Sequence, residues 1–180
     1  MESLSFKNDK RISLQVRARL RKFCATLDDD IAELANDLGV RLFSEDLFPY
    51  ESGYLEYDPT CGSTSGFKIV INSNHQLERQ RFTVAHEIAH FLLHKEDARK
   101  RKSHRKDGYV YDPFVYLMPQ DKNKESEANA FAAHLLMPQN LFEPAFKRLD
   151  GDVQKLARLF LVSPDAARRR VHEIQHLRRE

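Results

Sequence analysis

The chain has 180 residues and a formal net charge of +2, with 41% hydrophobic and 31% charged residues. This length suits one domain with a substantial core, and the composition is that of a globular protein rather than a disordered or fibrous one. No run approaches the roughly 18 apolar residues of a membrane helix, and the N-terminus has no apolar segment. We therefore expect neither a membrane span nor a signal peptide, and a cytoplasmic location.

The two cysteines, Cys24 and Cys61, lie far apart in the sequence and form no CxxC motif. We expect neither a disulfide framework nor a cysteine zinc site. The small net charge does not by itself indicate nucleic acid. Basic runs at 99–106 and 167–170 leave DNA or an acidic partner as a weaker alternative to a solvated surface.

The first third of the chain predicts two helices followed by a small sheet. Residues 10–24 carry apolar residues at helical spacing among arginines and lysines, which predicts a basic amphipathic helix. For the second helix we expect Thr26 with Asp29 at its start and Gly39 as its C-terminal cap. Short β-prone runs between 40 and 75 predict about three strands, and their short connections favour antiparallel pairing.

The remainder of the chain is predicted to be mostly helical. A helix from about Leu77 to His94 contains the stretch FTVAHEIAHFLLH, and a charged and aromatic segment without clear periodicity follows at 95–120. Residues 123–138 are rich in alanine and leucine and end in a proline, which predicts a strong helix. Short helices around an LVSPD turn complete the chain.

These elements predict an α+β fold that is mainly helical and has a small antiparallel sheet of three strands. We divide the chain into an N-terminal helix (1–24), a core (25–140) and a helical C-terminal segment (141–180) that packs on the core. The C-terminal segment resembles a helix-turn-helix, and its three consecutive arginines suit phosphate contacts. DNA binding there is a weaker alternative to packing.

The central helix carries a metal-binding pattern. Positions i and i+4 lie on one face of a helix, so His86 and His90 can bind one ion. Glu87 lies beside the first ligand, where it can act on a bound water rather than bind the ion. The alternative is a core helix that carries histidines by chance. It is disfavoured because both histidines lie at the margin of a buried apolar stripe, where unpaired polar groups are costly.

A catalytic zinc site takes three protein ligands and a water, so a third ligand must come from another segment. The helix at 123–138 offers Glu125 and Asn129, which share a face at i and i+4. We expect Glu125 to bind the metal and Asn129 to hydrogen-bond a ligand histidine. Glu127 points away from Asn129, and we assign it to the surface or to contacts that support the ligands.

Other residues are candidates for supporting roles. His134 is the alternative ligand or a substrate contact, although packing at an edge explains such a histidine more simply. His94 continues the series at i+8 and is expected to interact with the C-terminal end of the helix dipole or to form a hydrogen bond, rather than to bind the ion. The candidates for stabilising an oxyanion or contacting the substrate are His134, Tyr109, Tyr111 and Tyr116.

The segments QRFTVAHEIAHFLLH and ESEANAFAAHLLMP, in this order, resemble the paired motifs of the ImmA/IrrE family of zinc metallopeptidases. The resemblance covers about residues 25–175 and implies a zincin-like core of the gluzincin type. It implies one Zn²⁺ per chain with His86, His90 and Glu125 as ligands. It also implies that Glu87 is the catalytic base.

Members of this family act on repressors of the helix-turn-helix type that control mobile-element or damage-response genes, and others are components of toxin-antitoxin loci. The resemblance therefore implies an intracellular zinc endopeptidase that cleaves a specific repressor or antitoxin. Two alternatives are a non-proteolytic toxin or binding module with the same fold and metal, and a DNA-binding regulator. The intact Glu87 favours the protease, because a scaffold does not require a general base.

Overall fold

The computed structural model of the protein describes residues 9–100, 105–106, 109–110 and 122–177. The helices in these residues are α1 (Leu14–Phe23), α2 (Ile31–Asp37), α3 (Leu77–Lys100), α4 (Lys122–Leu136), α5 (Gln139–Arg148), α6 (Val153–Phe160) and α7 (Pro164–Leu177). The strands are β1 (Val40–Glu45), β2 (Gly53–Tyr57), β3 (Phe67–Asn72), β4 (Arg105–Lys106) and β5 (Tyr109–Val110). The predicted α+β fold, mainly helical, is confirmed.

The three longer strands form one sheet in the order β1-β3-β2. β2 pairs with β3 antiparallel, as predicted, with Leu55 opposite Ile69. β1 pairs with β3 in parallel, with Val40 opposite Phe67, so the antiparallel prediction is wrong for this pair. β1 and β3 are not consecutive strands. Residues 46–66 connect them, and this segment is long enough for the crossover that a parallel pair needs.

The second helix begins at a different residue from the one predicted. Asp30 is its N-cap, and the Asp30 side chain accepts a hydrogen bond from the amide of Ala32. Thr26 and Asp29 therefore lie before the helix and do not cap it. Gly39 follows the end of α2 with a φ of 82°, a left-handed conformation that glycine adopts without strain.

The central helix α3 is longer than predicted. It continues to Lys100, with one break at His94, whose φ of −133° and ψ of 17° are not helical. Residues 95–100, expected to belong to an irregular segment, are therefore helical. The break lies one turn after the second histidine of the HExxH motif.

The position of α3 brings the two predicted metal-binding segments together. α3 packs on the sheet and on α4. Small buried residues, Ala85 and Ala89 on α3 and Ala128 and Ala132 on α4, allow the two helices to approach closely. The polar residues at the margin of this contact are consequently held near one another.

Helices α5, α6 and α7 complete the core. α6 and α7 pack on each other around a short turn, as the C-terminal pattern predicts, and Leu161 in this turn has a φ of 50°. One hydrophobic cluster contains residues of all three predicted segments, from Ile12 to Ile174. The segment boundaries at 24 and 140 stay a prediction. Among the described helices, none combines the length and the apolar character needed to cross a lipid bilayer.

Candidate metal centre

Three potential ligand atoms from two helices converge at one point. The Nε2 atoms of His86 and His90 on α3 are 3.0 Å apart. Glu125 on α4 places one carboxylate oxygen 3.2 Å from His86 Nε2 and the other 3.2 Å from His90 Nε2. Within the described ranges, these residues form the one group of three or more His, Cys, Asp or Glu that could hold a metal ion.

The spacing of these atoms fits a tetrahedral zinc ion. With bonds near 2.1 Å, the ligand atoms of a tetrahedral zinc site lie about 3.4 Å apart, close to the separations seen here. Two imidazoles and one carboxylate also form a donor set of the kind that catalytic zinc uses, with one position left for water. The residues present therefore fit the ion that the sequence predicts.

The hydrogen bond at Nδ1 of His86 leaves the opposite ring nitrogen, Nε2, directed at Glu125 and available to a metal. Nδ1 lies 3.0 Å from Oδ1 of Asn129 on α4. Because an amide oxygen accepts, Nδ1 carries a proton, so Nε2 has a lone pair for the metal once it gives up the proton that it shares with Glu125. This is the contact expected of Asn129, and it fixes the orientation of the imidazole ring.

His90 has a different partner. Its Nδ1 lies 3.2 Å from Nδ1 of His94, and Nε2 of His94 lies 2.9 Å from Oε2 of Glu127. His94 thus forms hydrogen bonds and does not join the converging ligand atoms. Glu127 contacts the ligand histidine His90 through His94, which is one of the two places expected for it, the contacts that support the ligands.

Glu87 lies in the cleft beside the three converging side chains. Its side chain is buried, with 8% of its surface exposed, and it lines the same cleft as His86 and His90. A carboxylate here can accept a proton from a water molecule held in the cleft. The role of general base remains a prediction, which the geometry allows.

Charge and burial act in opposite directions on the site. Burial lowers the pKa of His86, but the hydrogen bond to Glu125 and the charges of Glu87 and Glu125 outweigh burial and raise this pKa above its ordinary value. Hydrogen bonds from His86 and His90 hold the pKa of Glu125 well below its ordinary value. Glu125 is therefore a carboxylate at neutral pH, as a metal ligand must be.

The cleft has a volume of about 300 Å³ and lies between α3, α4 and the strand β2. β2 is at the edge of the described three-stranded sheet, with β3 as its neighbour there. Gly53 on β2 lies directly against α3, because a Cβ atom at this position would come within 2.7 Å of Cγ2 of Thr83. The contribution of β2 to the site was missed in the sequence, where nothing marks a strand as the wall of a cleft.

The remaining candidates lie elsewhere. His134 does not line the cleft: its Nε2 lies 3.1 Å from Oε1 of Glu173 on α7, so its assignment as alternative ligand or substrate contact is not supported. The side chains of Tyr109, Tyr111 and Tyr116 lie outside the described residues. Their assignment as oxyanion or substrate contacts stays a prediction.

The arginines of α7 are engaged within the protein. Arg170 is buried, with 3% of its surface exposed, and donates to the carbonyl of Met137 and to Glu173. Arg168 and Arg169 both pair with Asp165, one turn earlier on α7. Three consecutive arginines therefore do not provide three free phosphate contacts.

Comparison with known proteins identifies the family. A family model described as the IrrE N-terminal-like domain, Peptidase_M78, matches residues 35–172, which is more than half of the chain. This chain belongs to the Peptidase_M78 family. The resemblance to the ImmA/IrrE family is thus confirmed. The family is named for peptidases, and a metal ion is implied at the level of the family.

Two known proteins are similar to this Peptidase_M78 chain, one in sequence and one in fold. The radiation response metalloprotease IrrE of Deinococcus deserti is 38% identical over 91 residues, covering 51% of this chain and 30% of the relative. A Mycobacterium tuberculosis transcriptional regulator of known structure superposes with a TM-score of 0.56 at 19% identity, covering 87% of this chain and 46% of that one. The latter similarity concerns the fold alone. The chain spans less than half the length of either protein.

Proposed function

We propose that this chain is a zinc-dependent endopeptidase that cleaves a specific protein substrate. The observation that carries the proposal is the convergence of His86, His90 and Glu125, with ligand atoms 3.0–3.2 Å apart. Shared protons can hold these atoms at such distances in the metal-free protein, and a divalent cation can take the place of those protons. A zinc ion supplies that cation and leaves one position for water.

When bound, zinc lowers the pKa of a water molecule towards about 7 and polarises the scissile carbonyl. Glu87 takes a proton from the attacking water, whose oxygen bonds to the carbonyl carbon. As the C–N bond breaks, Glu87 delivers the proton to the leaving amine nitrogen. Asn129 keeps the His86 ring in place through Nδ1, at 3.0 Å.

The substrate would bind as an extended segment along β2. This strand lines the cleft and is the last strand of the described sheet on that side, and an edge strand can pair with an added strand through its backbone. Alternate side chains of such a segment would point into and out of the cleft. We propose a helix-turn-helix repressor or an antitoxin, from a mobile-element, stress-response or toxin-antitoxin locus, on the basis of the family resemblance.

The alternatives have less support from the geometry. A DNA-binding regulator would present its arginines to phosphate, but Arg170 is buried and Arg168 and Arg169 pair with Asp165. A non-proteolytic toxin or binding module needs no carboxylate beside the metal. The buried Glu87 at the cleft therefore favours a hydrolase.

The test compares the wild-type chain with Glu87→Gln, each incubated with the products of neighbouring genes. We expect mass spectrometry to find fragments of one protein with the wild type and none with Glu87→Gln. Elemental analysis should find one zinc per chain in both, because Glu87 is not a ligand. Glu96→Gln is the matched control, since Glu96 lies on the same helix with its side chain 63% exposed. Equal cleavage by Glu87→Gln, or wild-type protein that binds no zinc, would refute the proposal.

A further inference from the structure

A continuous series of polar contacts connects His90 to the segment before α1. His90 Nδ1 contacts His94 Nδ1 at 3.2 Å, and His94 Nε2 contacts Glu127 Oε2 at 2.9 Å. Glu127 accepts two hydrogen bonds from the guanidinium of Arg11, one of them at 3.2 Å from Nη1 to Oε2. Arg11 is held in turn by Asp9, with Nε to Oδ1 at 3.0 Å.

The protons in this series can be placed so that His90 serves a metal. Glu127 is a carboxylate and accepts, so Nε2 of a neutral His94 carries a proton and its Nδ1 carries a lone pair. That lone pair accepts the proton on Nδ1 of His90. When a metal replaces the proton shared with Glu125, the Nε2 atom of His90 then has the lone pair that the metal requires.

The geometry of α3 supports a role for His94 at the metal centre. His94 has non-helical backbone angles, φ −133° and ψ 17°, within a helix that continues on both sides. Its side chain is buried, with 9% of the residue exposed. Because the helix breaks at this residue, the His94 ring is directed differently relative to His90 than it would be in a regular helix.

The contact between Arg11 and Glu127 contributes little to folding by itself. The two side chains are 42% and 36% exposed, and exposed ion pairs stabilise a fold only weakly. Its paired hydrogen bonds do, however, fix the plane of the carboxylate. The effect of this contact should therefore be sought in the geometry of the metal ligand rather than in stability.

We propose that Arg11 is a positioning residue of the metal centre, acting through Glu127 and His94 on His90. Arg11 lies outside the residues that match the family model, 35–172, so this support is supplied by the chain's own N-terminal segment. The proposal rests on the proposed zinc site. It assigns to the residues before α1 the task of holding one of its ligands in the correct orientation and protonation.

The experiment measures the zinc dissociation constant by competition with a chromophoric chelator at one pH. We expect Arg11→Ala to weaken zinc binding about 10-fold, the lower end of the effect of removing a supporting partner. Arg11→Lys should recover part of the loss, because it keeps the charge but not the paired hydrogen bonds. Arg19→Ala is the matched control, since Arg19 joins α1 to the carbonyl of Asp37 and has no contact with Glu127.

A double-mutant cycle separates positioning from a general structural effect. In a His94→Phe background, which keeps an aromatic ring but no hydrogen bonds, Arg11→Ala should cause no further loss of zinc affinity. Additive losses would overturn the proposal. The visible spectrum of the cobalt-substituted protein gives a second measurement, which should change in Arg11→Ala and not in Arg19→Ala.

The possible results distinguish this inference from the proposed function. Wild-type protein that does not bind zinc would refute the proposed function itself. Tight binding by the wild type, with Arg11→Ala within twofold of it, would refute the role of Arg11 alone. If circular dichroism shows that Arg11→Ala is unfolded, Glu127→Gln provides the same test, because it keeps the shape of the side chain and removes the charge that fixes His94.

Discussion

Helix α4 carries a histidine–carboxylate contact at each end, and the two contacts differ in what surrounds them. Near the N-terminal end, Glu125 lies 3.2 Å from both His86 and His90. Near the C-terminal end, His134 lies 3.1 Å from Glu173. Judged only by the distance between histidine nitrogen and carboxylate oxygen, the Glu125 cluster and the Glu173 cluster would be equivalent.

The difference lies in the balance of charge. Glu173 also accepts from the buried guanidinium of Arg170, at 2.7 Å, and this guanidinium reaches the carbonyl of Met137 just beyond α4. At the other end, among the described residues, no lysine or arginine contacts the ligand atoms of His86, His90 or Glu125. A histidine beside a carboxylate is therefore not enough to indicate a metal site. Converging donors that lack a cation, opening into a cleft, are the better indication.

The largest expected effect is on zinc affinity, in which the variants of Glu125 and Glu173 should differ most. Glu125→Ala should weaken zinc binding by more than about 100-fold, beyond the 10–100-fold range of supporting residues, because it removes a ligand. Glu173→Ala should leave the zinc dissociation constant within about twofold of the wild type, since Glu173 has no contact with the cleft. Chelator competition measures both. A large loss of zinc from Glu173→Ala would remove the distinction between the clusters.

The same two variants should rank in the opposite order when the loss in free energy of unfolding is compared. Glu173→Ala leaves the Arg170 guanidinium, 3% exposed, without its counter-charge, and should lower the free energy of unfolding by about 3 kcal/mol. Glu125→Ala should cost less in the metal-free protein, because its partners His86 and His90 can lose their charge, whereas the guanidinium of Arg170 cannot. Urea denaturation of the metal-free proteins gives both values. If both variants lost the same free energy of unfolding, the two ends of α4 would have the same charge balance.

The smallest effect is on the pH dependence of stability. The hydrogen bond from His134, together with Arg170, lowers the pKa of Glu173 to about 2, despite partial burial. The stabilisation by its carboxylate is therefore full above its ordinary pKa near 4.5 and is lost as the pH falls towards about 2. Denaturation of the metal-free wild type and of Glu173→Gln between these pH values should give a steeper decline for the wild type. Parallel curves would contradict this assignment.

Local spacing predicted much of the metal centre. The i, i+4 relations of His86 with His90 and of Glu125 with Asn129 depend on helical geometry, which the sequence pattern reveals directly. The structure places these four side chains together. Their roles in binding and catalysis await the experiments above.

Features that depend on the packing of distant segments were not predictable in this way. The parallel pairing of β1 with β3 follows from strand order, which the pattern of each strand does not encode. The contact of Arg11 with Glu127 joins residues 116 positions apart. For His134 the sequence left a metal or substrate contact as an alternative to packing at an edge, and it could not show that α7 provides its partner, Glu173.

The contact of Gly53 with α3 has a consequence for what can enter the cleft. With no side chain between the strand and the helix, β2 and α3 pack directly on each other at Gly53, and they cannot move apart there without losing that packing. This contact fixes the separation of the two cleft walls at this point. If the chain is the endopeptidase proposed above, an extended stretch of polypeptide suits a cleft of about 300 Å³ better than a compact domain, so cleavage is expected in linkers, exposed loops or locally unfolded segments.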